Sequence, residues 1–269
     1  MSEILHALNQ KIAKLEAMKR ELVDDHIEAE RLISLKRRVA AKPKKPKFST
    51  GIEFFDEKMN GGFTEGSFVN IAGGNFTGKT HFVLTVLSNI CKYREVLFFS
   101  FEMYENLIHE RTKHFTDEQS NNFLIEQTHT DINDIEAMVR QYSNRGVDFF
   151  AIDSRMKIVV PGLKEEYQKN SEISRRLSKL TQETGAIIIL INQISEADLR
   201  NNRPSLKGSG DQAYDSDVTL FILPHKDDIN RRVMICEKDR INQKKWKHEY
   251  TLSDLTESKI EVIEFHSPI

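Results

Sequence analysis

The 269-residue sequence has little of what staples or anchors a fold from outside. Its two cysteines, Cys91 and Cys236, stand far apart in apolar or mixed runs, with no C-x-x-C spacing. Neither a zinc site nor a disulfide framework is expected, and a reducing cytoplasm is the default compartment. No apolar run reaches the roughly 18 residues needed to cross a bilayer, and no apolar segment opens the chain. Secretion and membrane spanning are therefore not expected. Glycine and proline are absent from residues 1–38, so nothing there interrupts a helix. Acids are absent from Lys36 to Lys47, where seven bases gather: Lys36, Arg37, Arg38, Lys42, Lys44, Lys45 and Lys47. The formal net charge of -2 thus conceals an uneven distribution and excludes no nucleic-acid partner. No internal repeat is present.

What is there divides into three segments. In residues 1–38, Leu8, Leu15 and Leu22 recur at seven-residue spacing, with Ile4, Met18 and Leu32 near the complementary positions and Lys11 and Asp25 interrupting the seam. This weak heptad reads as a docking or linker helix, or a short coiled coil. Residues 39–47 are a basic linker, because Pro43 and Pro46 forbid a continuous helix. It either touches phosphates or is simply solvated. From residue 48 to 269, short apolar runs alternate with polar, helix-like stretches. Runs at 67–72, 96–100, 149–153, 186–191 and 218–222 are continuous rather than alternating, as expected of parallel strands buried on both faces. Segments at 232–236, 246–251 and 259–264 are spaced like antiparallel hairpins. The expected class is α/β, a mostly parallel central sheet with C-terminal antiparallel hairpins, preceded by an N-terminal helix.

The run Gly73-Gly74-Asn75-Phe76-Thr77-Gly78-Lys79-Thr80 fits G-x-x-x-x-G-K-[ST], the phosphate-binding loop of nucleotide hydrolases. It has the required context, an apolar strand before and a helical pattern after. Such a turn aims consecutive backbone N–H groups at phosphate oxygens, with the positive end of the helix behind them. Lys79 would reach the β- and γ-phosphates of ATP, and Thr80 would hold Mg²⁺. Hydrolysis also requires a metal-side carboxylate, a group to orient water, and positive charge on the phosphates. Asp153 ends the run Phe149–Ile152 and suits the metal side. Glu102 follows the strand at 96–100 and could polarise a water. Asn192-Gln193 ends the next strand, where an amide can sense the γ-phosphate and move the loop behind it. That loop, 195–216, carries Arg200, Arg203 and Lys207 among small residues and suits a mobile contact to a nucleic-acid backbone. A second basic loop spans 155–169.

Taken in order, these residues resemble a known family. Thr50-Gly51-Ile52, Asp56, Gly61-Gly62, the phosphate loop, Ser100-Phe101-Glu102-Met103, Ile152-Asp153-Ser154, Asn192-Gln193 and the run from Ser205 to Phe221 resemble the RecA-like core of DnaB-type replicative helicases. Glu237-Lys238-Asp239-Arg240 looks like that family's K-x-R hairpin. The resemblance covers residues 48–264. It implies that Glu102 is the catalytic base, Asp153 the Walker B acid and Gln193 the sensor. It also implies that Lys238 and Arg240 reach a neighbouring subunit's γ-phosphate. The expected partners are single-stranded DNA and further copies of the chain, in a hexamer, with residues 1–38 available to a neighbour or a replication protein. Two departures stand out. The family's N-terminal helical domain is missing, and Ile241-Asn242-Gln243 replaces the glycine common after the K-x-R pair. The Thr-Gly-Ile and Gly-Gly pattern also resembles RadA- and KaiC-like ATPases. The expected activity is a helicase-type ATPase, with a non-unwinding loader or regulator as the alternative.

Overall fold

The computed structural model describes residues 31–41, 45–194 and 215–255. The chain separates into two compact units, residues 1–44 and 45–269. In the first unit the described element is helix α1, Leu32–Ala40. It leaves Leu32, Ile33, Leu35 and Val39 exposed and buries nothing. The helix therefore runs two residues further than the sequence reading placed it. The heptad leucines Leu8, Leu15 and Leu22 lie outside the described residues.

The second unit opens with a short antiparallel pair, β1 (Lys47–Phe48) and β2 (Phe63–Thr64). Its main sheet has eight strands: β3 (Phe68–Gly73), β4 (Val96–Ser100), β5 (Phe123–Glu126), β6 (Phe149–Asp153), β7 (Ile187–Gln193), β8 (Val218–Pro224), β9 (Arg231–Asp239) and β10 (Trp246–Thr251). They are ordered β10-β9-β8-β3-β7-β6-β4-β5. The pairings from β8 through β5 are parallel, and β9 and β10 add antiparallel strands on the other side of β8. This is the α/β arrangement with a mostly parallel sheet that the apolar runs imply, and it agrees with the RecA-like core that the resemblance implies. The expected strand at 259–264 lies outside the described residues.

Both faces of the sheet are buried because side chains alternate across it. In β6, Phe149 and Ala151 join one core while Phe150 and Ile152 join the other. The first core packs on α2 (Glu53–Lys58) and α3 (Lys79–Ile90) through Phe55, Phe82, Val83, Val86 and Leu87. Next along the chain come α4 (Glu105–Thr112) and α5 (Asp117–Asn122). Helix α5 opens with a reciprocal capping box between Thr116 and Gln119. The second core packs on α6 (Ile132–Ser143) and α7 (Glu166–Thr184), where Ile173, Leu177 and Leu180 recur at helical spacing. Burying each such side chain contributes roughly 1.5–3 kcal/mol. Helix α7 stops at Gly185, whose φ of 77° turns the chain directly into β7.

Candidate functional site

Parallel strands bring their C-terminal ends to one edge, and this edge collects the candidate residues. Gly73 at the end of β3 pairs with Gln193 at the end of β7. Ser100 at the end of β4 pairs with Asp153 at the end of β6. The order β3-β7-β6-β4 therefore sets the phosphate loop, Gln193, Asp153 and Glu102 side by side.

The phosphate loop turns through Gly78, at φ 97°, into the first turn of α3. Phe76 also takes a left-handed backbone, at φ 58°. Lys79 Nζ folds back and donates to the Gly74 carbonyl at 2.6 Å, and Thr77 Oγ1 donates to the same oxygen at 3.1 Å. The lysine is buried, which pushes its pKa down, while Asp153 and Glu102 pull the other way. Gly73 is sterically required, since a Cβ there would stand 2.3 Å from the Ile222 carbonyl oxygen. From β9, Arg232 Nε donates to the Thr77 carbonyl at 3.0 Å, while its Nη1 donates to the carbonyls of Ile229 at 2.6 Å and Arg231 at 2.8 Å. One guanidinium thus ties the phosphate loop to the β8–β9 turn.

Thr80 Oγ1 donates to Asp153 Oδ2 at 2.7 Å. Burial raises the Asp153 pKa, opposed by the Thr80 hydrogen bond. A carboxylate held dry beside a hydroxyl and an ammonium is chemically suited to a hard cation. Among the described residues no group of three His, Cys, Asp or Glu could hold a metal by itself. Mg²⁺ fits this set as it fits other nucleotide sites, with one or two protein oxygens and the rest from phosphate and water. Ser154 Oγ donates to Glu102 Oε1, and the Phe101 N–H donates to the Asp153 carbonyl at 2.7 Å, fixing the carboxylate beside the strand ends.

Gln193 and Glu102 line an open groove of about 920 Å³ whose other walls include Ser100, Tyr104, Gln127 and Met156. Asn192 is turned away from it, buried, with Nδ2 donating to Asn70 Oδ1 at 2.6 Å. Of the Asn-Gln pair, Gln193 alone faces the groove.

Lys238 and Arg240 lie elsewhere. Arg232 touches the phosphate loop; Lys238 follows six residues later in β9 and Arg240 just past the strand's end, roughly 20 and 26 Å away at strand spacing. Lys238 Nζ donates to the Ser216 carbonyl at 2.6 Å, and Arg240 Nη1 stands 3.7 Å from Asp217. The turn after them forms without glycine: Gln243 takes φ 54°, and the Asp239 carboxylate accepts the N–H groups of Ile241 and Asn242. Arg200, Arg203 and Lys207 lie outside the described residues. Sequence reasoning missed Ser154 and Arg232. A hydroxyl directly after a strand-end carboxylate was a visible signal for the first. Nothing local marks the second, which reaches its partner only through the β8–β9 register.

The KaiC ATPase family matches residues 48–264. No curated protein matches the chain. Among solved structures, a DnaB-like replicative helicase, described with its interactions with primase, superposes with a TM-score of 0.66 at 20% identity, over 90% of this chain and 70% of that one. A separately solved ATPase domain gives 0.65 at 20% identity over 81% and 92%. The KaiC-like protein PH0186 from Pyrococcus horikoshii OT3 gives 0.62 at 20% identity over 76% and 94%. At these identities the likeness shows the fold alone, a RecA-like core. The family match, which spans most of the sequence, adds that the chain belongs to the KaiC family of ATPases.

Proposed function

We propose that the chain hydrolyses ATP in sites completed by a second copy of itself, as a motor on single-stranded DNA of the DnaB-like helicase type, assembled as a hexamer. The observation that carries this reading is the split of charge. One edge of the sheet gathers Lys79, Thr80, Asp153, Glu102 and Gln193, while Lys238 and Arg240 stand at the opposite end of β9.

In this mechanism Lys79 leaves the Gly74 carbonyl for the β- and γ-phosphates, and the loop N–H groups of Gly73–Thr80 cradle the rest. Thr80 and Asp153 would hold Mg²⁺, which supplies charge neutralisation on the phosphates. Glu102 orients the attacking water and accepts its proton, with Ser154 positioning the carboxylate. Lys238 and Arg240 of the adjacent copy supply the missing charge, a contribution of roughly 10³–10⁵ in rate, or about 4–7 kcal/mol of barrier. Gln193 reports the γ-phosphate to the loop 195–216, whose Arg200, Arg203 and Lys207 hold the DNA backbone. Residues 1–38 clasp a neighbour or a replication protein.

A second reading is a non-unwinding ATPase that switches the assembly of a replication or recombination partner. The match to the KaiC family favours it. Strand displacement on a forked duplex with ATP separates the two. Unwinding, with turnover raised by single-stranded DNA, supports the motor. Slow turnover indifferent to DNA, with no displacement, removes the motor and leaves the switch.

A further inference from the structure

The groove that Glu102 and Gln193 share is larger than one attacking water needs. Its volume of about 920 Å³ is that of a whole small-molecule site, roughly 300–1,000 Å³. Among the described residues its walls stand at or just past the C-terminal ends of β7, β6, β4 and β5, and none belongs to the phosphate loop. The groove therefore lies beside the triphosphate position and meets it at Glu102 and Gln193.

Two large apolar side chains stand in solvent along these walls. Tyr104 is 85% exposed and Met156 is 60% exposed. Both are borne on fixed backbone. The Tyr104 carbonyl accepts the N–H groups of Leu107 and Ile108 at 2.9 and 3.1 Å, which sets the ring at the start of α4. Met156 sits in a single 3₁₀ turn, Arg155–Lys157, closed by the Lys157 N–H on the Ser154 carbonyl at 3.1 Å. Between them the walls offer side-chain amides. Gln127 Nε2 donates to the Met103 carbonyl at 2.9 Å, which ties this amide to the segment that carries Glu102.

The charges in the groove select the kind of ligand. Glu102 and Glu105 outnumber the one cation, Lys157, so the walls are poorly suited to a phosphate group. An uncharged planar ring suits them, with a face for Tyr104 and Met156 and polar edges for the amides. Basic chain enters on one side: the loop 155–169 holds Arg155, Lys157, Lys164 and Lys169.

We propose that the groove receives an unpaired base of single-stranded DNA, stacked on Tyr104 and held at its edge by Gln127 and Asn106. The inference rests on the DNA-motor reading above and adds to it a contact with a base. It also places the bound strand in the same groove as Glu102, so that occupancy is felt where water is activated. Stacking of this kind accepts any base, because every base has a π-face.

The test is titration of a labelled single-stranded oligonucleotide in the presence of a non-hydrolysable ATP analogue. Tyr104→Ala should weaken binding about five- to 150-fold, the range for loss of one base–aromatic stack. The log–log salt slope should not change, because it counts phosphates and the ring touches none. Tyr104→Phe keeps the ring face and should bind like wild type. An abasic strand of the same length should bind wild type and Tyr104→Ala equally, as should duplex DNA, whose bases are already stacked. The ring is exposed, so its removal costs the fold little. A Tyr104→Ala chain that binds single strands as wild type does, or loses as much affinity for the abasic strand, overturns the base site and leaves the DNA reading standing. A loss that only follows a raised midpoint concentration for assembly gives the groove to a second copy and overturns the base site as well. A wild-type chain that binds no single strand removes the DNA reading and the base site together.

Discussion

Arg232→Ala tests whether the phosphate loop is held ready for nucleotide from outside its own sequence. The side chain donates to Thr77, Ile229 and Arg231 carbonyls at 3.0, 2.6 and 2.8 Å, and the residue is half-buried. A hydrogen bond from a charged group contributes about 1.5–3 kcal/mol when dry. The Thr77 bond is the one that orders the loop, and partial solvent access reduces it to roughly 1–2 kcal/mol. If the loop spends that much more of its time out of position, apparent ATP affinity falls about five- to thirtyfold. Arg232→Lys should recover little, because an ammonium cannot span two carbonyls as a guanidinium does. The assay is equilibrium titration with a fluorescent ATP analogue at protein concentrations below assembly. Unfolding by urea, followed in parallel, checks that global stability changes little. An Arg232→Ala chain that binds within twofold of wild type would refute the clamp.

Other expectations concern the chemistry. Glu102→Gln should bind ATP as wild type does and lose turnover by roughly 10²–10⁴, as loss of a general base does; turnover within tenfold would assign the water to another group. Asp153→Asn should abolish turnover yet stabilise the nucleotide-free chain at neutral pH. The sign follows from burial, which raises the Asp153 pKa in the folded state. The folded chain then binds more protons than the unfolded one between the two pKa values, so stability falls as pH rises through that window and the cost persists above it. Thermal melts between pH 4 and pH 8 read this, and a variant melting below wild type at pH 7 would contradict it. Neutralising Arg200, Arg203 and Lys207 should flatten the log–log salt dependence of DNA binding by about 0.7 per lost contact. An unchanged slope moves the DNA site elsewhere.

What was legible in the sequence follows from how the fold uses local and distant information. The phosphate loop is contiguous, so Gly73–Thr80 could be read directly. Asp153, Glu102 and Gln193 could be placed because strands buried on both faces are continuous apolar runs, and such runs end at the site edge. Strand β5 was missed: Phe-Leu-Ile-Glu is four residues at the sheet's edge, its burial is mixed, and it follows α5 without a break. The short β1–β2 pair was missed for similar reasons, two residues offering no period. The geometry of the turn after Arg240 could not be read from the replaced glycine, because the Asp239 carboxylate and the φ of Gln243 close it. Arg232 was invisible because its partner Thr77 is 155 positions away, brought close only by the β3–β8–β9 pairing.

The central claim is that each site is finished by a second copy, and mixing inactive chains tests it most directly. Lys79→Ala removes the lysine proposed to bind phosphate and keeps the hairpin. Arg240→Ala removes the hairpin cation and keeps the loop. Alone, each should turn over ATP at well below a hundredth of the wild-type rate. Mixed in equal amounts, about a quarter of interfaces join an intact loop to an intact hairpin, if copies assemble at random in a head-to-tail ring. The account predicts ATP turnover that peaks near equal mixing at roughly that fraction of wild type. Turnover that never exceeds the sum of the two separate chains, at any ratio, would contradict it.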